Sequence, residues 1–207
     1  MPRSALFVVD IQRELAQDPK TRIPHAERVC FAGDKILVAA RAIIDSYRQR
    51  TQESPSIIVF VQHEERPEEG TLVRDTEPWK LVFEPREGVT EEILVHKTTR
   101  DTFESNPGLA DQLKSQDVSE IVVFGIQSEC CVVSTSRGAL KAGLKVTLLQ
   151  GAHSTYDEAP KSATDIEKEV EDELRQKGAN VIPWDDAVAS WQQRGMIASY
   201  SIFSEVI

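Results

Sequence analysis

Short, nearly unbroken apolar runs recur along the chain. Between them, apolar positions return every three or four residues. The runs Leu6–Val9, Ile57–Val61, Ile93–Val95, Ile121–Phe124, Val146–Leu149 and Val181–Ile182 predict six strands. The first five are too continuous for a sheet with one wet face and predict strands covered on both sides. Ile36, Leu37, Ala40, Ile44 and Tyr47 make one apolar stripe on a helix over Ala26–Arg48. A second helix is predicted from Cys131 to Gly143, whose glycine suits a helix end. A third covers Lys161–Lys177, with Ala163, Ile166, Val170 and Leu174 on one face, and a fourth runs from Asp185 to Gln192. Helices alternating with strands predict parallel pairing through right-handed crossovers. The expected fold is three-layer α/β: a six-stranded, mostly parallel sheet of Rossmann type with helices on both faces. The stretch Glu64–Glu91 breaks this rhythm. It is polar, carries Pro67, Gly70, Pro78, Pro85 and Gly88, and reads as a long surface excursion suited to covering a substrate.

Length and composition narrow the picture. The 207 residues suit one domain spanning 1–207, and 40% hydrophobic with 28% charged residues can build a substantial core. A net charge of -10 without a basic block argues against nucleic acid as a partner. No apolar run is long enough to span a bilayer, and Met1–Ser4 leads straight into a strand without a signal-peptide pattern. Three cysteines without framework spacing point to a reducing, cytoplasmic compartment.

Chemistry gathers where the strands end. Asp10 follows the first, Gln62 and His63 the second, His96 and Lys97 the third, the Cys131 turn the fourth, and Gln150–His153 the fifth. Ligands of open parallel sheets bind outside the carboxyl ends of the strands. An acid, an amine and a thiol are thus expected at one sheet edge. Polar residues alone could mark strands leaving the core, but that does not account for this trio.

A cysteine at a helix start feels a partial positive charge that favours thiolate, the nucleophilic form. Cys131 is therefore expected to attack a carbonyl carbon. Asp10 would take the thiol proton and return it to a leaving amine, and Lys97 would hold the Asp10 carboxylate ionised. Backbone N–H groups at Gln127 and Cys131 could stabilise the oxyanion. Neighbouring Cys130 is assigned to packing or pocket lining. Cys131 and Arg137 also match the Cys-x5-Arg spacing of phosphatase loops. The intervening residues lack the glycine such a loop needs, and Arg137 is expected on a helix flank.

The chain resembles the isochorismatase-like cysteine hydrolases, a group with nicotinamidases and N-carbamoyl amide hydrolases among its members. The matching pieces are Leu6-Phe-Val-Val-Asp10-Ile-Gln12, Val95-His-Lys97 with Phe103 downstream, Gly125-Ile-Gln-Ser-Glu-Cys-Cys131-Val-Val-Ser-Thr135, and Val146–Thr155. The resemblance implies a six-stranded parallel sheet, catalytic roles for Asp10, Lys97 and Cys131, a cis peptide at Ile126–Gln127, and a homo-oligomer. It makes Gln12, His63, Trp79 and Phe103 candidate substrate-binding residues.

Departures from the family sharpen the expected chemistry. Val61-Gln-His-Glu-Glu65 lacks the Asp-x-His pair with which nicotinamidases bind a divalent metal. No metal or other cofactor is expected, and nicotinamide is disfavoured. Gly151 stands where many relatives carry an acid. True isochorismatases cleave a vinyl ether without a cysteine, so Cys131 favours hydrolysis of a C–N bond in a small amide or N-carbamoyl compound through a thioester. The alternatives are vinyl-ether hydrolysis and a non-catalytic binding module on the same fold. The apolar segment Met196–Ile207 is expected to dock on its own subunit or a neighbour.

Overall fold

The computed structural model describes residues 2–198. Six strands form one sheet: β1 (Arg3–Val9), β2 (Ser56–His63), β3 (Glu92–Lys97), β4 (Val118–Ile126), β5 (Lys145–Ser154) and β6 (Asn180–Pro183). Their order is β3-β2-β1-β4-β5-β6, and every pairing is parallel. The strands outrun the apolar stretches that predict them because their ends are polar. β2, for example, continues through Gln62 and His63.

Both faces of β1, β2, β4 and β5 are buried, as their unbroken apolar runs require, whereas β3 lies at the edge of the sheet and leaves Leu94 exposed, contrary to the expectation for its run. Leu6, Val8, Ile58, Phe60, Val122 and Phe124 pack on one side against α2 (Ala26–Gln49) and α7 (Trp184–Arg194). Ala5, Phe7, Val9, Val59, Val61 and Val123 face the other side, toward α4 (Leu109–Ser115), α5 (Val133–Lys141) and α6 (Ala163–Gln176). The predicted α2 stripe is buried at Ile36, Leu37, Ala40 and Ile44, with Tyr47 at its margin. Ser162 caps α6 through a reciprocal box with Asp165, so this helix starts at Ala163 rather than Lys161. Two four-residue helices, α1 (Arg13–Ala16) and α3 (Thr102–Ser105), are too short to leave a periodic signal, and α4 also went unpredicted.

The chain fills the sheet outward from β1 to β3 and then restarts at β4 on the other side of β1. The switch in order therefore lies between β1 and β4, and their carboxyl ends open the crevice where such sheets bind ligands. Close approach there requires glycine. Gly125 pairs with Val9 at a φ of 142°, and a Cβ on it would lie 2.0 Å from the Val9 carbonyl oxygen.

The connection from β2 to β3 contains no helix. It is pinned rather than loose: Leu72 and Leu81 are buried, Val82 N–H donates to the Ile11 carbonyl at 2.9 Å, and Leu81 bridges to Gln12. At the other end of the described chain, Ile197 is fully buried against its own subunit, its N–H donating to Ser56 Oγ at 3.1 Å. The remainder of the expected docking segment, 199–207, lies outside the described residues. Among the described residues, no helix is long and apolar enough to cross a membrane, and all three cysteines are free.

Candidate active site

Asp10 ends β1 in a left-handed conformation with a φ of 48°, which a short polar side chain tolerates better than most. Its N–H donates to the Val61 carbonyl at 3.1 Å, fixing the carboxylate above the switch point. Lys97 ends β3 and reaches toward β1 past His63, its partner in register on β2. Its ammonium lies 2.8 Å from Asp10 Oδ2, 3.2 Å from Cys131 Sγ, 3.1 Å from His63 Nδ1 and 3.1 Å from the Thr99 carbonyl. The Lys97 and Asp10 side chains are 0% and 1% exposed, so the pair is sealed from water. Beyond that ion pair, neither Asp10 oxygen has a well-directed hydrogen bond, which leaves the carboxylate free to accept a proton.

Cys131 follows β4 through a cis peptide at Ile126–Gln127 and a π-helical turn over Ser128–Val132, which then runs into α5. The expected helix start is thus a wider turn, and the cysteine sits inside it. The turn closes on Gln127, whose carbonyl accepts the N–H groups of Cys130 and Val132 at 3.2 and 3.1 Å. The thiol does not carry the lowered pKa expected of a helix start. Burial and the adjacent Asp10 charge raise it well above its ordinary value, and Lys97 offsets only part of this. Burial opposes the charge on Lys97, but Asp10 and Cys131 outweigh it and keep the ammonium protonated. His63 is held below its usual range by burial and then by Lys97, so it is neutral near pH 7.

Asp10 and Cys131 line a cavity of about 320 Å³ together with His63, Ile126, Gln127 and Cys130, and Glu14, Glu65, Leu72 and Arg100 are among its other walls; Lys97 touches both groups without lining the cavity itself. A roomier depression at the amino edge, near Asp117 and Gly143, has no cysteine in its lining.

The other predicted contacts divide. His63 reaches the cavity, and Cys130 lines it as expected. Gln12 is fully buried but turns away from it. Its amide donates to the carbonyls of His63 and Trp79 at 3.0 and 2.7 Å and accepts the His63 N–H at 3.0 Å. Gln12 therefore ties loop to strand. Trp79 stacks on His96 with centroids 5.8 Å apart and anchors the β2–β3 connection. Phe103 stacks on Phe7 at 5.9 Å in the core, not in the cavity. Arg137 forms a two-pronged pair with Glu173 on the surface at 2.6 and 2.5 Å, away from any phosphate-binding loop.

Sequence reasoning missed Glu14, Glu65 and Arg100 as wall residues, because no spacing marks them. It also gave His153 no role. His153 is fully buried beside the turn, opposite Gly125 in register, with Nδ1 2.8 Å from Ser128 Oγ. Behind it, Glu171 Oε1 lies 3.5 Å from His153 Nε2, and its other oxygen accepts from Gln150 at 2.6 Å. Burial pushes the Glu171 carboxyl up, yet His153, Gln150 and Arg175 outweigh it and hold it below its ordinary value.

The metal site of nicotinamidases does not fit these residues. Gln62 donates its amide to the Trp79 carbonyl at 2.9 Å, and His63 presents Nδ1 to a lysine. Among the described residues, no three His, Cys, Asp or Glu side chains are grouped to hold a metal ion.

An all-parallel sheet covered by helices, with a polar cavity over its switch point, defines a three-layer α/β protein. The Isochorismatase domain family model matches residues 4–186, and the chain belongs to this family of hydrolases. It is similar to a streptothricin hydrolase of Streptomyces noursei, 34% identical over 157 residues. That match covers 75% of this chain but only 56% of the relative, so the chain spans about half of its length. Two solved structures share the fold. One is a cysteine hydrolase from Pseudomonas syringae pv. phaseolicola, with a TM-score of 0.77, 19% identity and 93% of each chain covered. The other is an N-carbamoylsarcosine amidase from Thermoplasma acidophilum, with a TM-score of 0.66, 19% identity, and 88% of this chain and 97% of that one covered.

Proposed function

We propose that the chain is a cysteine-dependent hydrolase that cleaves a C–N bond in a small amide or N-carbamoyl compound. The observation that carries this reading is the contact of one ammonium, Lys97 Nζ, with both Asp10 Oδ2 at 2.8 Å and Cys131 Sγ at 3.2 Å, two groups that line the cavity.

The resting thiol is protonated, so attack and deprotonation are coupled. Cys131 Sγ bonds to the carbonyl carbon as its proton passes to Asp10. The carbonyl oxygen becomes an oxyanion, for which the N–H groups of Gln127 and Cys131 in the turn are the proposed donors. The C–N bond then breaks, Asp10 returns its proton to the leaving nitrogen, and a thioester remains on Cys131. Water attacks the thioester, Asp10 takes a water proton, and the acid leaves as the thiol is restored. Lys97 keeps Asp10 ionised between the two proton transfers. The amidase and cysteine hydrolase among the fold relatives, and the single matched block at 4–186, support one hydrolase domain of this kind.

The test is a panel of small primary amides and N-carbamoyl compounds, assayed with the wild type and with Cys131→Ala. Activity lost only in the variant, with an acyl adduct on Cys131 seen by mass spectrometry, is the expected result. Hydrolysis that survives in Cys131→Ala removes the thiol from the reaction.

A further inference from the structure

Besides Asp10, which Lys97 matches, three formally charged side chains line the cavity: Glu14, Glu65 and Arg100. They are not equivalent. Glu65 is engaged, with Oε2 accepting the Leu72 N–H at 3.0 Å and Oε1 lying 4.0 Å from His63 Nε2. Arg100 is exposed, so water satisfies its guanidinium.

Glu14 is part-exposed, and one of its two carboxylate oxygens is left without a donor. Its Oε2 is sealed from solvent and has no hydrogen-bond partner. A buried carboxylate oxygen without a donor is costly, and such groups in folded proteins call for a reason. The neighbours that could serve it are committed elsewhere. The adjacent Arg13 pairs with Glu77, and the Tyr156 hydroxyl donates to the Thr21 carbonyl. With His63 neutral and Lys97 matched by Asp10, the cavity walls carry two carboxylates against one solvated guanidinium.

We propose that Glu14 is a specificity-determining residue that accepts hydrogen bonds from a protonated amine or guanidinium on the substrate, so that this cavity selects cationic amides. The inference rests on the amide-hydrolase reading of the same site. In a bound complex the reacting carbonyl lies over Cys131, and a second, cationic nitrogen of the substrate supplies the donor that Glu14 lacks.

Two measurements test it. The first compares kcat/KM for caproamide, ε-aminocaproamide and adipic monoamide, which differ only in terminal charge. The wild type is expected to favour the ammonium compound over the neutral one by about tenfold or more, chiefly through KM, and to disfavour the anionic one. Glu14→Gln should collapse that ratio, and Glu14→Lys should invert it. The second measurement needs no turnover. Cys131 is modified with aminoethyl and sulfonatoethyl methanethiosulfonate, and the cation-to-anion rate ratio is compared between wild type and Glu14→Gln. A fall of about tenfold is expected from loss of the same charge contact. An unchanged labelling ratio in Glu14→Gln overturns the inference whether or not any amide is cleaved. Hydrolysis surviving in Cys131→Ala overturns the hydrolase reading instead. Melting curves guard against misfolding, and Glu14→Gln is expected to be at least as stable as the wild type because it removes the charge from an oxygen that no donor serves.

Discussion

Lys97 Nζ and Asp10 Oδ2 are 2.8 Å apart with both side chains sealed from solvent. Breaking such a pair from one side strands the other charge. Lys97→Met is therefore expected to destabilise the protein by about 3–5 kcal/mol and to abolish turnover. Asp10→Asn should lower kcat by about 10²–10⁴ by removing the proton acceptor. The double variant should be less destabilised than Lys97→Met alone. Urea denaturation of the three variants measures this, and strict additivity would refute the pairing.

Cys131 is expected to be alkylated by iodoacetamide more slowly than an ordinary exposed cysteine near pH 7, because burial and Asp10 hold it as the thiol. Asp10→Asn removes one of the two causes. Its thiol pKa should fall and its alkylation should speed up even as hydrolysis fails. Peptide mapping of labelled Cys131 across a pH series reads both effects. Slower labelling in Asp10→Asn would show instead that the Asp10 charge is not what holds the thiol protonated.

Glu92 opens β3 with its side chain 0% exposed, between Arg41 and Arg86. Burial raises its carboxyl, but hydrogen bonds from Arg41 and Arg86 outweigh this and hold it below its ordinary value. A depressed folded-state pKa gives stability that is full above the unfolded carboxyl value of about 4.3 and lost as pH falls through the lower folded value. Near neutrality Glu92→Gln should cost about 1.5–3 kcal/mol. That gap should close on acidification, as seen in denaturant melts at successive pH values. A gap that stays constant into the acid range would show that the charge is not what matters.

Ser128 opens the nucleophile turn and meets buried His153 at 2.8 Å. Ser128→Ala leaves a sealed imidazole nitrogen without its partner, an expected cost of about 1–3 kcal/mol. The turn should also lose its fixed position. We expect kcat to fall more than KM changes, since the substrate walls are untouched. A change confined to KM would point to a role in binding instead.

The sheet and its reactive edge were legible in the sequence for one reason. Asp10, His63, Lys97 and the Cys131 turn each stand at the carboxyl end of an apolar strand, so a parallel topology delivers them together. The charge state of Cys131 was not legible. It depends on burial and on a carboxylate far away in sequence, and these override the expected helix-end effect. Aromatic residues near the motifs also misled. Phe103 and Trp79 follow the right segments, but one packs on Phe7 and the other on His96. Glu14 sits in α1, a helix too short for periodicity to orient, and only three dimensions show that its Oε2 lacks a donor.

Lys97 rides on the outermost strand. β3 touches the sheet through β2 alone, exposes Leu94, and is reached by a connection without a helix. Edges of this kind open before the centre of a sheet does. Fraying of β3 would pull the ammonium from Asp10 while the central strands stayed folded. Heat should therefore silence the enzyme at a temperature where most of its hydrogen-exchange protection still survives.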